Sequence, residues 1–250
     1  MSLNIAVCSI SAGRYRIGES AFPDSQPEHL VNLAAFAIAR TTVTNAQFAA
    51  FIDDGGYQTQ NYWTEAGWRW QQHKQAVQPG FWTDSRFNHP TQPVVGIGWY
   101  EALAFARWLA QVQDFPWRLP SEAEWEAAAR DPEGHIDQSD PAIVNSVEQN
   151  TGAAWPVDSD GVESWCGARH MLGNVWEWTS TRWGRNWQRL DYPYPYRQDD
   201  SRQNLEGSHA RVIRGGSWYD PLSMAHPAQR ARYLPGSRAS NIGFRLAYTQ

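Results

Sequence analysis

The sequence is short of cysteine, of long apolar runs and of excess positive charge, and each shortage excludes something. Two cysteines, Cys8 and Cys166, cannot make a disulfide framework, and neither sits in a CxxC pair. Reduced thiols in a cytoplasmic protein are the expectation. No 18-residue apolar run offers a membrane span. The opening "MSLNIAVCSISAGRYRIG" meets arginines before any long apolar stretch, so no signal peptide is expected. Formal net charge is -5, so no basic field argues for a nucleic-acid partner.

Aromatic and turn residues are plentiful instead: 15 Trp, 19 Gly and 15 Pro. Many large rings beside many turn residues suit a loop-rich domain with aromatic packing, not a helical bundle. No linker, internal repeat or low-complexity tract divides the chain, so one domain over residues 1–250 is expected.

Three helices are legible, two of them by their start signals. "TNAQFAAFID" opens at Thr44 with Gln47 three residues on, a capping box. "WYEALAFARWLAQV" puts Ala102, Phe105, Leu109 and Val112 on one stripe. "SEAEWEAAAR" repeats the capping box with Ser121 and Glu124. A further helix is a candidate within "YWTEAGWRWQQHKQ". Strand patterns are short: "GRYRIG", "AFAIA", "RVIRGG" and "GFRLAY". Residues 61–93 and 131–165 show no period and read as long loops, which inside a compact domain tend to carry function.

Catalytic patterns are sparse. The acidic pairs Asp53-Asp54 and Asp199-Asp200 lie beside turn residues or charges and read as solvated loops. His29, His73, His89, His135, His170, His209 and His226 never fall at the i, i+3 or i+4 spacing of a metal-binding helix face. "RGGSW" lacks the strand–glycine–helix context of a phosphate cradle and reads as a turn of unusual dihedrals. Trp63, Trp68, Trp70 and Trp82 read as core or loop-packing residues.

Six motifs in order, "TTVTNAQFAAFI", "QPVVGIGWYEALAFARWLA", "WRLPSEAEWEAAAR", "GNVWEWT", "RVIRGGSW" and "NIGFRLA", resemble the formylglycine-generating-enzyme (sulfatase-modifying factor) family from about Gly13 to Ala247. The resemblance implies an α+β, C-type-lectin-like fold of that type, loop-rich, with few short strands and two or three helices. It also implies a choice of function. The superfamily holds copper-dependent oxidases, iron-dependent sulfoxide synthases and ligand-display proteins, among them the variable proteins of diversity-generating retroelements.

The oxidases hold copper through two cysteines after the "GGS" turn, because soft sulfur suits Cu(I). Here those positions carry Asp220 and Ala225, so no copper is expected. The sulfoxide synthases draw their iron histidines from a separate N-terminal helical domain, which this sequence does not match. A structural calcium is implied at the carbonyls of Gly173 and Val175 and the carboxylate of Glu177, with His170 at the fourth position and the Asn145 region as a second site. The alternative is a turn locked by Trp176 and Trp178, with Glu177 bonded to backbone amides.

Residues 211–250 then read as a display region. Arg230, Arg232 and Arg238 are expected to anchor it through carboxylates or carbonyls. Tyr219, Asp220, Leu222, Ser223, Met224, His226, Gln229, Ala231 and Tyr233 are expected to face outward and bind a protein or other macromolecular ligand. The first expectation is thus a non-catalytic, retroelement-type display protein; the alternative is a metal-dependent oxidase or sulfoxide-synthase-like enzyme of the same superfamily.

Overall fold

The computed structural model describes residues 3–133 and 141–250; His135 lies outside them. Among the described residues, three small sheets form. β1 (Val7–Ile10) pairs antiparallel with β4 (Phe36–Ala39), and β4 with β9 (Ala247–Thr249), so both ends of the chain meet on one strand. β2 (Gly13–Ile17) and β3 (His29–Leu33) form an antiparallel pair. The third sheet has the order β7-β6-β5-β8: β5 (Trp176–Gly184), β6 (Ala210–Arg214), β7 (Arg230–Tyr233) and β8 (Ile242–Phe244).

Among the described residues, four α-helices surround the sheets: α1 (Asn45–Asp53), α2 (Glu65–Lys74), α3 (Trp99–Gln113) and α4 (Glu122–Ala129). Both sequence-read capping boxes form, at Thr44/Gln47 and Ser121/Glu124, because each satisfies free helix-start amides locally. The candidate fourth helix is α2, one more than the two or three implied by the resemblance. The main core packs α1 and α3 on the third sheet, with the Phe48 and Phe105 rings stacked at 5.3 Å and Phe244 edge-on to Phe105 at 5.5 Å. Trp63 is buried in this core, with Trp68, Trp70 and Trp82 packed against it.

β5 and β7 depart from the sequence reading. "GNVWEWT" reads as a turn, yet Trp176 starts a nine-residue strand buried at every position. The strand keeps Glu177, Thr179, Ser180, Thr181 and Arg182 inside. β7 lies within the segment read as a displayed loop. It adds to β6, with Arg230 opposite Arg214.

Fully buried ion pairs hold these elements together. α4 offers Glu122 and Glu126, four residues apart and therefore on one face. Glu122 takes Arg230 of β7 at 2.7 and 3.0 Å, and Glu126 takes Arg214 of β6. Glu177 of β5 takes Arg245 at 2.6 and 2.8 Å. Arg245 also donates to the carbonyls of Ala39 and Arg169, which ties β4 to the segment ahead of β5. Asp53 ends α1 and Asp54 is its C-cap residue, accepting the Trp108 indole N–H at 2.7 Å. Asp199 and Asp200 pair with Arg197 and Arg202. Asp53, Asp54 and Asp199 are exposed, as expected of solvated positions, and Asp200 alone is half-buried.

Candidate ligand-binding surface

The frame of the surface is a double glycine turn. Gly215 and Gly216 have φ of +106° and +78°, left-handed values that side chains resist. Gly215 also has no room: a Cβ there would stand 2.7 Å from the Met171 carbonyl oxygen. Its own carbonyl accepts the Gly173 N–H at 2.8 Å, joining the two motif turns. Gly215→Ala should therefore cost about 1–3 kcal/mol of stability, read as a lower urea midpoint with the slope unchanged.

The segment leaving this turn is held by its arginines, as the sequence suggested. Arg230 is fully buried on Glu122 and donates to the Asp24 carbonyl at 2.6 Å. Arg232 donates to the Trp187 carbonyl at 2.9 Å and lies over the Trp183 ring at 4.7 Å. Arg238 donates to the Gly96 carbonyl at 3.0 Å and to buried Glu101, also at 3.0 Å. Glu101 is fixed in turn by the Tyr57 hydroxyl at 2.5 Å and the Gly98 amide at 2.7 Å. Burial raises the Glu101 carboxyl pKa above its ordinary value, opposed chiefly by the Arg238 guanidinium.

The nine residues expected to face outward do not share one orientation. Tyr219, Ser223 and Tyr233 are exposed; Asp220, Leu222, Met224, His226, Gln229 and Ala231 are half-buried. Each inward turn has a physical reason. The Asp220 carboxylate accepts the Trp176 indole N–H at 2.8 Å and the Ser217 hydroxyl. Leu222 packs against the apolar cluster of Val144, Val162, Leu172 and Ala225, and Met224 packs against the main core. The His226 ring sits 4.8 Å from Phe22 and accepts the Ala228 N–H.

The two exposed tyrosines belong to different surroundings. Tyr219 ends a run of rings, Phe81–Phe87–Trp218–Tyr219, with centroids 5.5, 5.9 and 5.5 Å apart. Tyr233 lines a hollow of about 410 Å³ with Trp187, Ala231, Arg232, Leu234 and Ser237. A neighbouring hollow of about 720 Å³ shares Leu234 and Ser237 and adds Arg69, Trp70, Tyr100 and Arg185. The turn between them is tight because Gly236 lies under Trp70; a Cβ there would meet the indole nitrogen at 2.5 Å. Trp187 is 52% exposed and Tyr233 40%. Sequence reasoning missed Trp187, which lies in an irregular segment far from β7 and comes beside it only through the fold.

The donor sets implied by the family resemblance do not match what the fold builds. At the two copper positions stand Asp220, held by Trp176 and Ser217, and Ala225, buried in an apolar cluster. Neither supplies a soft ligand. At the calcium position, both Glu177 oxygens accept from Arg245, and one also accepts the Trp125 indole N–H at 2.8 Å. A carboxylate committed to a buried guanidinium does not fit calcium. Nor is it bonded to backbone amides, the alternative considered from the sequence. Beside it, the Asn174 amide oxygen accepts from Asn145 and from the Trp155 amide, and the Asn174 carbonyl accepts from the Trp218 amide. The turn is thus closed by protein groups, with the Gly173 amide on Gly215 and Val175 buried beside it. Among the described residues, no three His, Cys, Asp or Glu side chains come together to hold a metal.

His170 is only 3% exposed and adopts φ +53°. Burial, with Arg169 and Arg245 nearby, pushes its pKa down to about 4 from 6.5. The native state therefore holds it neutral while the unfolded state protonates below pH 6.5. Stability from this group is complete above that pH and is lost as pH falls toward 4, by up to about 3 kcal/mol. His170→Gln should flatten the loss of urea midpoint between those two pH values.

Comparison with known proteins places this geometry. Residues 4–250 match the sulfatase-modifying factor enzyme 1-like domain, and the chain belongs to that family. It is 36% identical to a hercynine oxygenase of Mycolicibacterium thermoresistibile over 253 aligned residues, covering 91% of this chain and 54% of that protein. It is 30% identical to a formylglycine-generating enzyme of Thermomonospora curvata, covering 96% and 92%. Among solved structures, Treponema denticola variable protein 1 superposes with a TM-score of 0.70 at 22% identity, covering 100% of this chain and 96% of that one. The chain spans about half the length of the hercynine oxygenases it matches.

Proposed function

We propose that the chain is the organic-substrate-binding part of a hercynine-oxygenase-like protein, seating a small betaine against Trp187 and Tyr233. The likeness to the hercynine oxygenases along 91% of the chain carries this reading. It moves the sulfoxide-synthase-like alternative ahead of the display protein, because the variable-protein likeness, at 22% identity, speaks for fold alone. The hollow offers suitable chemistry. Hercynine carries a quaternary ammonium, which favours aromatic faces, and a carboxylate, which favours guanidinium groups. Trp187 and Tyr233 supply faces; Arg232 lies in the same hollow, with Arg69 and Arg185 in the adjoining one. In this reading, iron ligands come from histidines of another segment or chain.

A display role is the second reading, favoured by Tyr219, which is 67% exposed at the end of its ring run. The two readings separate on paired variants. Under the first, Tyr233→Ala weakens hercynine binding about tenfold while Tyr219→Ala leaves it unchanged. The reverse pattern, or binding that survives Tyr233→Ala intact, contradicts it. Calorimetric titration with hercynine reads both.

A further inference from the structure

The fold brings together two cysteines that lie far apart in the sequence. Cys8 lies on β1 with its side chain in the apolar cluster that also holds Tyr15, Ile38 and Ala168, and Cys166 packs against that same cluster. Both cysteines thus pack into one cluster, and each bears on the other's ionisation. Cys166 sits at the tip of a tight turn closed by Ser164 N–H to the Ala168 carbonyl and Gly167 N–H to the Ser164 carbonyl, both at 2.8 Å. Gly167 takes φ +90°, and a Cβ on it would stand 3.8 Å from the Cys8 sulfur. Cys8 is buried and Cys166 is partly exposed.

The surroundings favour a thiolate at Cys166. Its sulfur lies 3.3 Å from the Ser164 hydroxyl and, when protonated, donates to the Ala128 carbonyl at 3.5 Å, while Cys8 and the Ala168 amide favour its charged form. Arg245 lies near both sulfurs and Arg40 near Cys8, and the Tyr15 phenol faces Cys166 from β2. The Cys8 hydrogen bond, then the Ser164 and Ala168 bonds, outweigh burial and bring the Cys166 pKa down to about 6. Cys8 moves the opposite way, mainly because its proton is held by Cys166. A low-pKa thiol on a partly exposed residue beside a second cysteine is the arrangement of a redox pair.

We propose that Cys8 and Cys166 are a reversible dithiol–disulfide couple oxidised by hydroperoxides, with Cys166 attacking and Cys8 resolving. The Cys166 thiolate attacks one peroxide oxygen, forming an S–O bond as the O–O bond breaks. The leaving oxygen takes a proton and departs as water or alcohol. Cys8 sulfur then attacks the sulfenic sulfur; an S–S bond forms, the S–O bond breaks, and the hydroxyl leaves as water with the Cys8 proton. Two thiols are oxidised by two electrons and one peroxide is reduced. A dithiol reductant returns both thiols by exchange. The bond fastens β1 to the 163–169 turn, which Arg245 already ties to β4 and β5.

Hydrogen peroxide is added to the folded chain, and thiols are then counted in denaturant. Free thiols should fall from two to none in the monomer. The intact mass should drop by two hydrogens, a Cys8–Cys166 cross-linked peptide should appear, and dithiothreitol should reverse all three. Cys8→Ser should stop at a sulfenic acid on Cys166 that dimedone traps. Alkylation of Cys166 by iodoacetamide should titrate near pH 6, and Cys8→Ala should move that midpoint upward. Two free thiols after peroxide, cross-linking only between chains, or overoxidation of Cys166 with Cys8 still free would each overturn the proposal.

Discussion

Arg230→Ala should cost about 3–5 kcal/mol, a large part of the 5–15 kcal/mol that holds a typical domain. Arg230 is fully buried, and its fork meets both oxygens of Glu122, itself 0% exposed. Removing the guanidinium leaves that carboxylate in the interior with one fewer cation; Arg214, at 3.6 Å, already serves Glu126. The carbonyls of Asp24 and Tyr192 also lose their donor. The Tyr194 ring loses a cation 4.3 Å from its centroid. Arg230→Lys should not rescue, since one ammonium cannot meet two oxygens and two carbonyls in that geometry. Arg232→Ala is the control. It loses a 3.8 Å pair with Asp24, the Trp187 carbonyl bond and the Trp183 ring contact, all on a partly exposed side chain, so the loss should stay well below that of Arg230→Ala, at about 1–2 kcal/mol. Equilibrium urea unfolding of the three variants tests the ordering.

The second large effect concerns binding. Trp187→Ala and Tyr233→Ala together should weaken hercynine binding about 10²-fold, each face contributing roughly 1–2 kcal/mol to a desolvated quaternary ammonium. Both side chains are exposed and stand outside the buried ion pairs, so the double variant should fold with an unchanged urea midpoint. If affinity is lost while stability is kept, the effect belongs to the hollow and not to the scaffold.

Local chemistry made part of this structure legible in the sequence. The caps at Thr44 and Ser121 announced α1 and α4 because a hydroxyl and an amide or carboxylate three residues on solve a local problem. The glycines of "RGGSW" announced their turn by the dihedrals they permit. β5 was illegible because Glu177, Thr179, Thr181 and Arg182 are all buried, which erases the alternation that marks a strand. β7 was illegible because its one buried position, Arg230, is charged: "RARY" reads as polar until Glu122 is placed beneath Arg230. The inward turn of Asp220, Met224 and His226 depended on Trp176, the main core and Phe22, partners that no local pattern reveals. Trp187 and the Cys8–Cys166 pair are wholly long-range features.

The most direct test of the account compares hercynine with histidine, which has the same imidazole and carboxylate but lacks the three N-methyl groups. If Trp187 and Tyr233 form a face for a quaternary ammonium, calorimetry should show hercynine bound at least about tenfold more tightly than histidine. Equal affinities, or no saturable binding of hercynine, would contradict the substrate-binding role proposed for this chain.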